Sequence, residues 1–267
     1  MDLGLKDATV VVTGGTGGMG RAAADCFAAD GARVAVLARN QEQLDATTAA
    51  LVELGSPDAV GISVDLFDGP SVDRAIAEVG ERWGHLNALV NVAGPMSGGL
   101  KSFETYTDQD WHDVFDGLTF AAVRTARAAL PLLRKAEWAR IVNVSAMSVK
   151  RQSPPLIAYT AAKSALTSLT KNLSQTLAPD GILVNTVSPG TYASESFKAA
   201  MAEMPGVDEN DLEDVMRYIK KGFGHSVFME RAGDPSEIGP VIAFVASARN
   251  SYMTGANINV DGGTDFT

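Results

Sequence analysis

Short runs of aliphatic and β-branched residues alternate, from one end of the chain to the other, with longer segments whose apolar positions fall three and four apart. Thr9–Thr13, Arg33–Leu37, Val60–Val64, Ala88–Asn91, Ile141–Val144, Leu183–Val187 and Ile258–Val260 read as strands. They are apolar on both faces, as strands buried inside a parallel sheet are. Between them lie helical patterns. Ala161, Ala165, Leu166, Leu169, Leu173 and Leu177 mark one such face. Regular alternation of this kind predicts an α/β fold with a doubly wound parallel sheet of about seven strands and helices on both sides. Asp30-Gly31 and Pro179-Asp180-Gly181 punctuate the helix ends as expected.

One stretch breaks the rhythm. Residues Gly190 to Gly233 follow a Pro-Gly turn and carry Phe197, Met201, Met204, Val215, Met216, Phe223 and Phe228. A long interruption of a regular sheet is often a functional lid, so a substrate lid is expected around 191–230. A pair of surface helices packed by ordinary hydrophobes would give the same pattern. There is no internal repeat or low-complexity segment, and residues 1–267 read as a single domain.

Composition narrows the possible functions. A net charge of −10 and an isoelectric point near 4.8 argue against gripping nucleic acid or an anionic membrane through the overall field. No apolar run is long enough to span a bilayer, and the start does not read as a signal peptide. Cys26 is alone, and His85, His112 and His225 are widely separated, so neither a disulfide nor a zinc site is expected. These features suggest a cytoplasmic protein.

The first strand runs directly into Thr13-Gly14-Gly15-Thr16-Gly17-Gly18-Met19-Gly20, and a helical pattern follows. Glycines at a strand-to-helix turn let backbone amides approach a pyrophosphate at the helix N-terminus. Further along stand Asn91-Val92-Ala93-Gly94, Tyr159-Thr160-Ala161-Ala162-Lys163, Pro189-Gly190 and Val260-Asp261-Gly262-Gly263. In spacing and order the chain resembles the short-chain dehydrogenase/reductase family. The glycine turn matches its Thr-Gly-x3-Gly-x-Gly, the second motif its Asn-Asn-Ala-Gly, with valine in second place, and the third its Tyr-x3-Lys. The resemblance spans almost the whole chain and implies a Rossmann-type fold that binds a nicotinamide dinucleotide. It implies cofactor contacts at Gly14, Thr16, Gly18, Met19, Gly20, Arg39, Asn40, Asp65, Leu66, Asn91, Ala93, Gly94, Tyr159, Lys163, Pro189, Gly190 and Tyr192.

Cofactor choice is read at the end of the second strand, where an acid favours NAD and an arginine accommodates the 2′-phosphate of NADP. Leu37-Ala38-Arg39-Asn40 has alanine in the acid's place and a cation after it. NADP(H) is therefore preferred, with NAD(H) possible. By resemblance Asp65 bonds the adenine, although an aspartate there would also suit a helix cap.

Tyr159 and Lys163 are four residues apart and share one helical face. The resemblance makes Tyr159 the proton donor or acceptor for the substrate's oxygen, and a nearby ammonium would lower its pKa. Two other family catalytic residues are missing. The serine expected thirteen residues before the tyrosine is Ala146, and the asparagine expected in the helix after the fourth strand is Leu118. Ser145 and Ser148 are the nearest substitute donors, with Thr191 and Tyr192 also in reach. The expected function is thus an NADP(H)-dependent oxidoreductase interconverting a carbonyl and a secondary alcohol on a hydrophobic substrate, with an incomplete catalytic set. The alternative is a non-catalytic NADP(H)-binding or sensing protein. The resemblance also implies a homo-oligomer, a tetramer or dimer. Helix faces rich in alanine, such as Ala121, Ala122, Ala126 and Ala129, fit either its interface or internal packing.

Overall fold

In a computed structural model, which describes residues 2–94, 101–204 and 206–264, seven strands form one parallel sheet. They are β1 (Thr9–Thr13), β2 (Arg33–Ala38), β3 (Ala59–Ser63), β4 (Ala88–Asn91), β5 (Ala139–Val144), β6 (Ile182–Pro189) and β7 (Asn257–Val260), in the order β3-β2-β1-β4-β5-β6-β7. β1 and β4 have the ends expected from sequence. β5 starts two residues early, at Ala139, because the ladder continues through Arg140, which pairs with both Ala88 and Leu183. Burial on both faces holds for β1, β4 and β5 but fails at the sheet margins. β3 and β7 are mostly half-buried, since an edge strand has a neighbour on one side only.

The chain leaves β1 toward β2 on one side and later returns to place β4 on the other. That reversal opens a crevice at the carboxyl ends of the strands, where ligands settle in open α/β sheets. Helices α1 (Gly18–Ala29), α2 (Gln41–Glu53), α3 (Gly69–Trp83), α4 (Asp108–Phe115), α5 (Ala121–Leu133), α6 (Ile157–Leu177), α7 (Glu195–Ala202), α8 (Leu212–Phe223) and α9 (Pro235–Val245) surround the sheet. One core lies under α1, α2 and α9, through Phe27, Leu44, Leu51, Ile238 and Ile242. The other lies under α3, α5 and α6, through Val72, Ile76, Val79, Leu132, Leu133 and Leu177. Gly239 lets α9 approach α1: a Cβ there would stand 2.6 Å from the carbonyl oxygen of Ala22.

One expectation changes, and one choice left open by the sequence is narrowed. The face predicted for α6 splits: Leu166 and Leu177 are buried, but Ala161, Ala165 and Leu169 are only half-buried. Thr170 and Ser174 are buried in their stead, and the Thr170 hydroxyl accepts a hydrogen bond from the Asn143 amide at 2.9 Å. Polar residues on a buried face evade a reading based on hydrophobic period. Ala121, Ala122, Ala126 and Ala129, in turn, are all buried within the chain itself.

The stretch after β6 forms α7 and α8, so it does contain two helices. Its two ends are tied together, as Ala193 N donates to Gly233 O and Gly233 N to Thr191 O, both at 2.9 Å. Among the described residues, no helix is long and apolar enough to cross a membrane.

Candidate active site

The glycine turn is built against the ends of β1 and β4. The Thr13 hydroxyl accepts hydrogen bonds from Val92 N and Ala93 N, both at 3.1 Å, and joins the two strands at the crevice. Gly14 (φ 69°) and Gly18 (φ 51°) adopt left-handed conformations that L side chains resist. Gly20 is needed for a different reason. A Cβ on it would lie 2.3 Å from the Gly14 carbonyl oxygen, so α1 can rest on the turn only without a side chain there. Gly20→Ala is therefore expected to displace the turn, costing about 1–3 kcal/mol as overpacking does. The check is a melting curve with and without NADPH. The variant should melt lower and lose the stabilisation that the nucleotide gives the native protein.

Beside the turn lies a cavity of about 360 Å³, lined by Gly14, Thr16, Leu37, Ala38, Arg39, Asn40, Gln43, Val64, Asp65, Leu66, Phe67, Ala93 and Gly94. No side chain caps the start of α1, so its first N–H groups remain available to an anion. This cradle suits a dinucleotide: a narrow glycine turn, an uncapped helix start and a cation at the far end. Arg39 is exposed, and among the described residues no carboxylate forms an ion pair with it.

Several predicted contacts have other partners. Asn40 caps α2, its side chain accepting from Gln43 N at 3.0 Å. Asp65 is not a helix cap. It accepts from Phe67 N at 3.0 Å, and the residue that caps α3 is Asp68. Asn91 does not line the cavity. Its amide donates to Asn143 Oδ1 at 2.9 Å, and its oxygen accepts from the Thr125 hydroxyl at 2.7 Å, which locks β4 to β5 and α5. Gly18 and Gly20 likewise shape the turn without lining the cavity. The Leu66 carbonyl receives Arg124 at 3.2 Å, and Arg124 also holds Asp116 at 2.5 Å. The sequence pattern gave no sign of this clamp.

A second cavity, of about 520 Å³, meets the first at Gly94. Tyr159, Lys163, Ala146, Ser148, Met19, Pro189, Gly190, Thr191 and Tyr192 line it. So do Phe197, Ile219, Phe223 and His225 from the segment expected to act as a lid. Tyr159 and Lys163 come from the first turns of α6. Lys163 Nζ lies 5.9 Å from the centre of the Tyr159 ring and donates to the Val144 carbonyl at 2.7 Å. Burial pushes the Tyr159 phenol up to about 12 and the Lys163 ammonium down to about 8. The ammonium was expected to lower the phenol. In the protein alone, desolvation outweighs that attraction.

Leu118 lies in a π-helical turn, Asp116–Phe120, between α4 and α5. It is 1% exposed and packs against Ala158 and Ala162 of α6. A Cβ on Gly94 would meet Leu118 Cδ2 at 2.9 Å and Lys163 Nζ at 3.3 Å, so the leucine sits beside the ammonium. Thr119, its neighbour, donates to the Ala162 carbonyl at 2.8 Å instead.

The candidate hydroxyls separate cleanly. Ser145 also lines this cavity, but its hydroxyl donates to the Lys163 carbonyl at 3.1 Å and lies 3.0 Å from the Thr167 hydroxyl of α6. The Tyr192 hydroxyl donates to the Val260 carbonyl at 2.9 Å. Ser148 Oγ is buried and has no hydrogen-bond partner among the described residues. His225, whose position in sequence suggested no role, lines the same cavity and also has an unpaired nitrogen.

Comparison with known proteins agrees with this geometry. A family model described as enoyl-(acyl carrier protein) reductase matches residues 14–265. The chain is 32% identical to Oxidoreductase asL5 of Sarocladium schorii, across 97% of this chain and 96% of that protein. It is 31% identical to a sorbitol dehydrogenase of Cereibacter sphaeroides, across 97% and 98%. Its fold superposes on the L-sorbose reductase of Gluconobacter frateurii, solved with NADPH and L-sorbose, with a TM-score of 0.89, 27% identity and full coverage of both chains.

Proposed function

The chain belongs to the short-chain dehydrogenase/reductase family of oxidoreductases, and from that premise we propose an NADP(H)-dependent enzyme that interconverts a carbonyl and a secondary alcohol on a hydrophobic substrate. The observation that carries this reading is the junction at Gly94. There the cavity of the glycine turn and the cavity that holds Tyr159 and Lys163 share a wall residue.

The glycine turn and the start of α1 would receive the diphosphate, Asp65 the adenine, and Arg39 a 2′-phosphate. A nicotinamide nucleotide, when bound, supplies or accepts the hydride. Tyr159 gives a proton to the substrate oxygen during reduction and takes one back during oxidation. Lys163 holds positive charge beside the phenol and is kept in place by the Val144 carbonyl. Met19, Val92, Met147, Leu156, Ile219 and Phe223 give this chamber an apolar wall that favours an apolar substrate body. The segment carrying Phe197, Ile219, Phe223 and His225 would act as the lid over it. A second reading, a protein that binds NADP(H) without turnover, draws on Ala146 and Leu118 standing where the family has catalytic side chains. Loss of NADPH absorbance with a panel of hydrophobic ketones separates the two. Nucleotide binding with no turnover of any ketone favours the second, and no nucleotide binding at all removes both.

Cofactor preference has its own test. A charge-assisted hydrogen bond contributes about 1.5–3 kcal/mol, so Arg39→Ala should weaken NADPH binding by roughly tenfold to a hundredfold. NADH, which lacks the 2′-phosphate, should be little affected. Titration of intrinsic fluorescence with each nucleotide measures both, and an equal loss for the two would remove Arg39 from phosphate recognition.

On the same reading the protein is a cytoplasmic homo-oligomer, a tetramer or dimer. The half-buried Ala161, Ala165 and Leu169 of α6 offer a face on which two copies could pack, and light scattering on the eluted protein would give the number of subunits.

A further inference from the structure

We propose that Ser148 and His225 form a second polar subsite in the substrate cavity, and that the substrate is an apolar carbonyl compound bearing another neutral oxygen, a ketone or hydroxyl, apart from the reacting one. This rests on reading the cavity as the substrate site.

Both residues line the chamber that contains Tyr159. They are 1% and 2% exposed, and among the described residues neither Ser148 Oγ nor His225 Nε2 has a hydrogen-bond partner. Buried polar atoms are nearly always paired, so two orphans that line one cavity call for a partner inside it. Leu156, Ile219 and Phe223 belong to the apolar wall of the same cavity.

The placement of His225 is built into the fold. Gly224 ends α8 in a left-handed conformation, with φ 69°, and turns the chain so that the next residue is buried. The Ser153 hydroxyl donates to the Phe223 carbonyl at 3.0 Å and pins this end of α8 to the loop before α6. The Phe223 and His225 rings lie 6.5 Å apart. Burial, and then the nearby Arg151, hold the imidazole below its ordinary pKa, so it is neutral at physiological pH. A neutral imidazole and a serine hydroxyl can each donate or accept, which matches a ketone or a hydroxyl, and neither side chain itself carries a charge for a carboxylate.

The test compares cyclohexanone with a six-membered cyclic diketone whose carbonyls are opposed, and with the matching keto acid. Loss of one neutral hydrogen bond changes affinity by about threefold to tenfold. The kcat/KM ratio of diketone to monoketone should therefore fall by about that factor in Ser148→Ala and again in His225→Phe. Separately, in NADPH-saturated Tyr159→Phe protein, histidine-selective nitrogen NMR should show the His225 ring nitrogen shifting with the diketone and not with cyclohexanone. A ratio that is the same in all three proteins, an imidazole indifferent to saturating diketone, or preference for the keto acid overturns the proposal. If the native protein turns over no ketone but the imidazole still responds to the diketone, the subsite stands and the reductase reading falls.

Discussion

Tyr159→Phe should lower NADPH-coupled ketone reduction by about 10²–10⁴, the usual worth of a positioned proton donor, with the loss falling on kcat more than on nucleotide affinity. The phenylalanine keeps the ring that packs against the cluster of Val114, Leu118, Ala158 and Ala162 and removes only the hydroxyl. Stability should therefore hold while the proton transfer fails. The pKa directions add a check that a merely structural tyrosine would not pass. With its phenol pushed up to about 12, Tyr159 is protonated across the neutral range and ready to donate, which favours reduction. Oxidation needs the deprotonated oxygen, so its rate should climb with pH. Lys163 complicates the climb, because its ammonium, held down near 8, is charged below that value and neutral above it. Reduction should be nearly flat below about 8 and decline as the lysine charge is lost. Opposite slopes for the two directions, with the rise in oxidation lost in Tyr159→Phe, would assign the proton to this hydroxyl. Turnover that survives the substitution unchanged would remove Tyr159 from the mechanism.

The sheet was readable from sequence because parallel strands buried on both faces leave unbroken aliphatic runs, and every such run became a strand. The ends were less readable. Arg140 at the start of β5 carries no strand signal of its own, yet it pairs on both sides. The motifs located the two cavities, since a glycine turn and a tyrosine–lysine pair demand particular backbone positions. They did not reveal which polar groups would be consumed inside the protein. Asn91, Ser145, Asn40 and Tyr192 all look like ligand contacts in one dimension. Each has a side-chain partner within the protein, a neighbouring strand, a helix carbonyl, a cap or the last strand, while Asn40, Ser145 and Tyr192 still line the cavities. Conversely, Ser148 and His225 are unpaired in the cavity for reasons of three-dimensional placement. Seventy-seven residues separate them in the chain by simple difference of their numbers, and no local pattern joins them. The π-helical turn at Asp116–Phe120 is similarly invisible. It decides that Leu118 lies beside Lys163 while Thr119 reaches the Ala162 carbonyl.

Ala146→Ser should raise turnover by about 10²–10³, because one preorganised donor to a developing oxyanion is worth roughly 3–4 kcal/mol. The site accepts the change. Ala146 follows β5 in extended conformation (φ −160°, ψ 152°), so a serine there meets no backbone strain. Ala146 is buried and lines the chamber with Tyr159, so the new hydroxyl would lie in the chamber where the substrate oxygen reacts. Ser145 cannot substitute from its present position, since it is bonded to α6. Leu118→Asn should help less. It would put an amide into the apolar contact with Ala158 and Ala162, where Lys163 already has the Val144 carbonyl as a partner. Residues that share a site are not additive, so the double variant should resemble Ala146→Ser alone. Steady-state kinetics on the three variants, with one ketone and saturating NADPH, decide the matter. A rise confined to serine at 146 means the native chamber works with Tyr159 as its single donor to the oxygen. If Ala146→Ser is neutral or slower, another group in the chamber already meets the oxyanion and is displaced by the newcomer.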